Sequence, residues 1–306
     1  MAGQSALEET MKRIGIIGLG SMGLAMAKNI IDSGFELTGF DLRPESLGLL
    51  EAAGGKPVGS AAQVGANADV VFVMVLNGRQ VREVVAGESG LLETMKPGST
   101  IIISATIDPA EIEEIAALIV EKGIEVIDSP VSGGKGGAEA GTLTLMAAAK
   151  KEVFDANLDV LQAVGEKIFH VGEEIGMGQT VKASLQALIG ATFTAIFESL
   201  VLGAKAGVKG EVMYEVFTAS GVRSPLLENC SKLIMDRAFK DTGSQITTMY
   251  KDLGISMNMA KKNGVAMFTT SAAYELFQAG ISLFPEEDNW SIVKLLEQIA
   301  GTEVTW

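Results

Sequence analysis

The sequence predicts an α/β fold: a doubly wound parallel sheet, followed by an all-α domain, with a long helix joining the two. Three observations predict it. Residues 13–171 alternate short apolar runs with helix-like segments, the pattern of strands feeding crossover helices. Residues 178–207 hold no proline and few charges, enough for roughly 45 Å of continuous helix. Every later segment reads as helix, punctuated by Gly207, Gly221, Gly243, Gly264 and Gly280. The expected domains are residues 1–175 and 176–306.

The first element is a strand over Arg13–Ile17, which runs into Gly18-Leu19-Gly20-Ser21-Met22-Gly23 and a helix over Ser21–Ser33. This is GxGxxG between a strand and a helix. Gly18 permits the tight turn, Gly20 lets backbone approach a pyrophosphate, and Gly23 lets helix and strand pack closely. The helix N-terminus adds N–H donors for phosphate. A second strand, Glu36–Phe40, ends at Asp41, which lies 23 residues after Gly18. A carboxylate there accepts hydrogen bonds from the adenosine ribose and repels a 2′-phosphate. The pattern therefore predicts a dinucleotide, NAD ahead of NADP. Arg43 is the counter-indication, since an arginine can accommodate a 2′-phosphate.

Further strands follow at Asp69–Leu76, Ser99–Ile103 and Ile124–Ile127. Asp108-Pro109-Ala110-Glu111 is a helix start, with an acidic cap, proline at the first position and Glu three residues on. Ligands of such sheets sit outside the carboxyl ends of the strands. Asn77 and Thr106 therefore either line the cofactor cleft or serve as ordinary turn and cap residues. Asp128 to Gly137 is glycine-rich and reads as a loop whose amides suit a carboxylate. Strands at Leu143–Ala148 and Lys167–Val171 flank a helix over Lys151–Val164. His170, on the last strand, is read as structural. Helices are then expected near residues 211–219, 224–235, 245–263, 269–280 and 289–300.

Composition bounds the function. The 306 residues are 47% hydrophobic, so a full core is within reach. A net charge of −14 with no basic cluster argues against nucleic acid and anionic membrane surfaces as partners. Cys230 and His170 are the single cysteine and histidine, which excludes an intrachain disulfide and leaves no thiolate or His-rich metal site. The N-terminal residues lack a signal-peptide pattern, and Gln186 and Glu198 interrupt the most apolar window. A cytoplasmic protein is expected. A helix apolar nearly all round needs burial on several sides, which a second copy would supply, so a homo-oligomer is expected. Lys182 sits in the first turns of that helix. Beside apolar residues its pKa falls by desolvation, which suits an acid/base; the alternative is an ordinary exposed lysine.

Four motifs, in order, carry a resemblance over essentially the whole chain: residues 14–23 (IGIIGLGSMG); Asp128-Ser129-Pro130-Val131-Ser132-Gly133-Gly134; Gly176-Met177-Gly178 with Lys182 following; and Lys251-Asp252-Leu253-Gly254. The chain resembles the β-hydroxyacid dehydrogenases, the 3-hydroxyisobutyrate dehydrogenase group. The resemblance implies a Rossmann-like domain followed by an all-helical one, in dimers or tetramers. It implies Lys182 as the catalytic acid/base and Ser132, Gly133 and Gly134 as the site for the substrate carboxylate. Lys251 would lie at the mouth of the site near cofactor and substrate, and Leu76, Asn77 and Thr106 would line the nicotinamide side. Most members carry two asparagines where this chain has Leu185 and Gln186. That departure, with Asn77-Gly78-Arg79-Gln80-Val81, Met213-Tyr214-Glu215-Val216 and Glu228-Asn229, looks more like the branch acting on L-threonate. Gln186, Arg223 and Asn229 would then bind a polyhydroxylated acid. Alternative substrates are 3-hydroxyisobutyrate, tartronate semialdehyde and 2-(hydroxymethyl)glutarate. A non-catalytic interaction protein of the same fold would be expected to lack Lys182.

Overall fold

The computed structural model describes residues 11–306; the stretch read as lacking a signal pattern lies outside them. The chain divides into two compact units, the first ending at Gln179 and the second running from Thr180 to Trp306. The division falls four residues beyond the expected one, inside the first turn of the long helix.

In the first unit nine strands form one sheet: β1 Ile14–Ile17, β2 Leu37–Phe40, β3 Lys56–Pro57, β4 Val70–Val73, β5 Thr100–Ile103, β6 Glu125–Asp128, β7 Val131–Ser132, β8 Leu143–Ala148 and β9 Gly165–Gly172. Their order is β3-β2-β1-β4-β5-β6-β8-β7, with β9 also on β8. Strands β3 to β6 are parallel throughout. The sheet is doubly wound because successive side chains of a buried strand face opposite ways. Ile14, Ile16, Phe72, Ile102 and Ile127 pack with Met26, Ala27 and Ile30 on one face. Ile17, Val71, Val73, Ile101 and Ile103 pack with Val64, Val81, Val85 and Ile112 on the other.

Four features depart from the expectation. The sheet is mixed, because β8 runs antiparallel to β6 and β7 before β9 restores parallel pairing. The glycine-rich segment contains a short helix, Gly134–Glu139, entered through left-handed backbone at Gly133 and Gly134. The expected helix over Lys151–Val164 is two, Lys151–Ala156 and Leu158–Gln162. Buried Asn157 breaks it by donating to the Val153 carbonyl at 2.8 Å, the back-bonding that competes with a helix. Helices Pro44–Ala52 and Ala61–Asn67 are additional. Both carry readable starts, Pro44 at the first position and Ser60 accepting from the Gln63 amide at 3.2 Å.

The second unit is helical: most of Met177–Lys205, then Gly210–Ala219, Pro225–Met235, Ile246–Asn263, Phe268–Leu283 and Ile292–Ala300. Met177–Lys205 is long and apolar enough to cross a membrane. Its Phe193, Ile196, Phe197, Leu200 and Val201 are instead core, packed with Leu227, Leu253, Phe277 and Trp290.

Candidate active site

In the first unit, the turn after β1 is built as the glycine spacing predicts. Gly18 has φ +90°, and a Cβ on it would lie 2.2 Å from the Met74 carbonyl oxygen. A Cβ on Gly23 would meet the Gly18 oxygen at 1.8 Å. Packing therefore dictates both glycines. Gly20 differs, since a Cβ there would find nothing nearer than the Arg43 guanidinium at 3.9 Å. The space over Gly20 is open, at the N-cap of helix Ser21–Asp32, where a pyrophosphate fits. Ser21 is exposed, Met22 half-buried and Leu19 buried.

Asp41, just beyond β2, accepts from the Leu19 amide at 2.7 Å. Arg43 grips the same carboxylate through its backbone N–H and guanidinium at 2.9–3.0 Å. Burial pushes the Asp41 pKa up, but the hydrogen bonds from Arg43 and Leu19 and the guanidinium charge outweigh it and hold the carboxyl below its usual range. The ribose acceptor and its counter-indication are thus one ion pair. Asn77 accepts from the Gln80 amide at 3.0 Å as the N-cap of helix Gly78–Ala86. Leu76 is exposed and donates its N–H to the Gln80 side chain. Thr106 is half-buried beyond β5, and Ser132 closes β7, followed by the exposed Gly133 and Gly134. His170 binds the Ala149 carbonyl oxygen at 2.8 Å, its ring 4.7 Å from that of Phe154, which is a structural place.

In the second unit, Lys182 is 7% exposed and is no surface lysine. Its Nζ donates to Gln186 Oε1 at 3.2 Å, one helical turn on. Gln186 Nε2 donates in turn to Asp252 at 2.6 Å, and Lys251 Nζ lies 2.8 Å from the other oxygen of Asp252. Two lysines thus share one buried carboxylate, Lys251 directly and Lys182 through an amide. Burial lowers the Lys182 pKa; Asp252 opposes this and Lys251 adds to it. A lysine so placed reaches its neutral form more readily, as an acid/base requires. Leu185 is half-buried. Arg223 and Asn229 are exposed, and Arg223 pairs with Glu228 at 2.6 Å. Neither has a hydrogen bond to the Lys182 group.

The sequence matches two family descriptions: the NAD binding domain of 6-phosphogluconate dehydrogenase over residues 13–172, and the NAD-binding domain of NADP-dependent 3-hydroxyisobutyrate dehydrogenase over residues 176–296. The chain belongs to the 3-hydroxyisobutyrate dehydrogenase family of β-hydroxyacid dehydrogenases. It is 35% identical to the 2-(hydroxymethyl)glutarate dehydrogenase of Eubacterium barkeri, over 98% of this chain and 99% of that one. It is 33% identical to the L-threonate dehydrogenase of Cupriavidus necator, over 94% and 97%. A solved 3-hydroxyisobutyrate dehydrogenase from Salmonella typhimurium superposes with a TM-score of 0.85 at 32% identity, covering 93% of this chain and 99% of that one. The protein is a dehydrogenase with an NAD(P)-binding domain, which accords with the open face over Gly20.

Sequence reasoning missed two carboxylates of this dehydrogenase. Asp252 sits beside Lys251 in a quoted motif, but its link to Lys182 spans 70 residues and is purely tertiary. Asp128 heads another motif and is fully buried at the end of β6. The available signal was an acidic residue directly after the apolar pair Val126-Ile127, at the end of a strand.

Proposed function

We propose that the chain oxidises a small hydroxy acid, an aldonate of the L-threonate type, with NAD as the preferred acceptor and Lys182 as the base. The buried Lys182–Gln186–Asp252–Lys251 group carries this reading. When bound, the dinucleotide supplies the hydride acceptor. Lys182 Nζ takes the proton of the substrate hydroxyl and returns it to the carbonyl oxygen in the reverse direction. Ser132 and the Gly133 and Gly134 amides hold the carboxylate, and Gln186, Arg223 and Asn229 bind further hydroxyls. The preference for NAD rests on Asp41. The cationic Lys251 attracts the anionic acid, more strongly in a dry site than in water. Several relatives are named L-threonate dehydrogenases, and the glutamine at 186 supports the same branch. The enzyme works in the cytoplasm as a homodimer or homotetramer, a reading supported by exposed Leu188 and Leu202 on the long helix.

The test is NADH production with L-threonate, D-threonate, the erythronates, 3-hydroxyisobutyrate, L-serine and 2-(hydroxymethyl)glutarate side by side. A kcat/KM for L-threonate far above the rest supports the aldonate. A maximum elsewhere discards it and keeps the lysine mechanism. One hydroxyl or methylene is often worth only about 1–3 kcal/mol in a pocket, so the panel decides where residue inventory does not.

A further inference from the structure

Thr106 and Ser132–Gly134 follow the carboxyl ends of neighbouring parallel strands, β5 and β6. One side chain ties the two exits together. Gln179 Oε1 accepts from the Ile107 amide at 3.0 Å, and its Nε2 donates to the Ala105 carbonyl at 3.0 Å. It therefore grips the backbone on both sides of Thr106. The same Nε2 donates to Asp128 Oδ1 at 2.9 Å, while Asp128 Oδ2 accepts from the amides of Gly176 and Gln179 at 2.9 and 3.2 Å. Asp128 ends β6, four residues before Ser132. Both side chains are essentially inaccessible, at 0% and 1% exposure. Approach is so close that a Cβ on Gly178 would lie 2.6 Å from the Asp128 and Met146 carbonyl oxygens.

Packing alone does not call for a carboxylate here. Among the described residues no cation pairs with it; its partners are N–H donors, and burial raises its pKa to about 6. A buried charge without a counter-ion is retained at a cost to stability, and such costs concentrate where function needs a fixed geometry.

We propose that Asp128 and Gln179 are positioning residues of the dehydrogenase reaction, holding the Ala105–Ile107 loop and the Asp128–Ser132 exit at one fixed spacing. Thr106 and Ser132–Gly134 then present to dinucleotide and substrate carboxylate as a unit. This rests on the proposed roles of Thr106 and Ser132–Gly134 in the dehydrogenase reaction and not on the threonate reading. Hydride transfer tolerates little displacement, since a misplacement of about 1 Å costs on the order of 10² in rate. Neither residue touches the reacting atoms, so their loss lowers kcat while leaving dinucleotide affinity largely intact.

Hydrogen-bond polarity supplies the test. Asp128→Asn sets an N–H₂ against the Gln179 N–H₂, and Gln179→Glu sets two carboxylates together. Asp128→Asn/Gln179→Glu restores a donor opposite an acceptor between the two side chains, but still turns a carboxylate oxygen toward the Ala105 carbonyl. On the panel acid the wild type turns over fastest, each single variant should lower kcat by about tenfold or more. The dissociation constant for NADH, read by fluorescence, should move by less than about threefold, because neither residue contacts it in this account. The double variant should turn over faster than Gln179→Glu alone, because it relieves the repulsion between residues 128 and 179 and not the one at Ala105. Single variants that melt earlier yet keep kcat and KM per folded molecule would overturn the proposal, as would a double variant no better than Gln179→Glu. Should Asp128→Asn not fold, Gln179→Met keeps the volume without the bonds, and an unchanged kcat there overturns it equally. Should the wild type turn over no acid, the substrate reading has failed on its own. Amide exchange at residues 132–134 of the NADH-bound protein then decides: faster exchange in Gln179→Met supports the positioning, and unchanged exchange refutes it.

Discussion

Two buried charges, one in each unit, are stabilised in opposite ways. Asp252 in the second unit is met by a cation, Lys251, and by an amide that leads to Lys182. Asp128 in the first unit is met only by N–H groups. The first arrangement leaves Lys182 among charges of both signs, so its proton affinity is the balance of burial, Asp252 and Lys251. The second has no ion-pair partner among the described residues, and burial, opposed by the N–H donors, pushes its pKa up to about 6. Adjustable protonation thus comes from clustered ions, and fixed geometry from oriented dipoles. The helix Met177–Lys205 carries both, with Gln179 bonded to Asp128 and Lys182, three residues on, bonded to Gln186.

The largest test of the contrast removes the adjustable group. Lys182→Ala should lower turnover by about 10²-fold or more, the usual range for general acid/base help, while NADH still binds. Retained turnover would leave the ionic cluster without a catalytic purpose.

The dipole-held charge is tested by stability against pH. Asp128 titrates near 6 in the folded chain, above its ordinary 3.8. Between those values the folded state holds more of its proton than the unfolded state does. Its contribution to stability therefore falls as pH rises from about 4 to 6 and is constant above. Two units correspond to about 3 kcal/mol as an upper bound. Asp128→Asn should flatten this slope in urea melts across that window. An unchanged slope would mean that the charge is compensated by groups other than these donors.

The two partners of the ionic cluster should move activity in opposite directions. Asp252 raises the Lys182 pKa and Lys251 lowers it. The base acts when neutral, so kcat for oxidation rises with pH through that pKa. Asp252→Asn should shift the ascending limb toward acid, and Lys251→Met should shift it toward alkali. Shifts of the same sign would show that Lys182 does not sense this pair.

These regions also differ in how far they can be read from the chain. The nucleotide turn was legible because Gly18, Gly20, Gly23 and Asp41 lie within one β-α-β stretch, and Gly18 and Gly23 answer local steric demands. The capping box at Asp108 was legible for the same reason; both of its reciprocal bonds are present. The Lys182 cluster was half legible. A lysine in an apolar helix signals a perturbed group, but Asp252 reaches it only through the packing of helix Ile246–Asn263. The turn of β8 against β6 and the break at Asn157 were not legible. One depends on a tertiary strand pairing, and the other on an asparagine side chain choosing a backbone carbonyl over solvent.

Asp41 combines the two modes at the rim of the fold, and there the expected effect is smallest. Like Asp128 it accepts backbone N–H groups, from Leu19 and Arg43; like Asp252 it holds a cation, the Arg43 guanidinium. Arg43 is more than half exposed, so water screens the pair and it contributes little to stability. Its weight lies in selectivity. With Arg43 in place, part of the Asp41 charge is cancelled where a 2′-phosphate would sit. Arg43→Ala should therefore widen the preference for NADH over NADPH, by about threefold, a change on the scale of a screened ion pair. Asp41→Ala should narrow or reverse it, because the ribose loses its acceptor and the guanidinium is left unpaired for a phosphate. Fluorescence titration with both reduced dinucleotides reads each change. A preference that moves the same way in both variants would mean that Asp41 and Arg43 do not oppose one another at this rim.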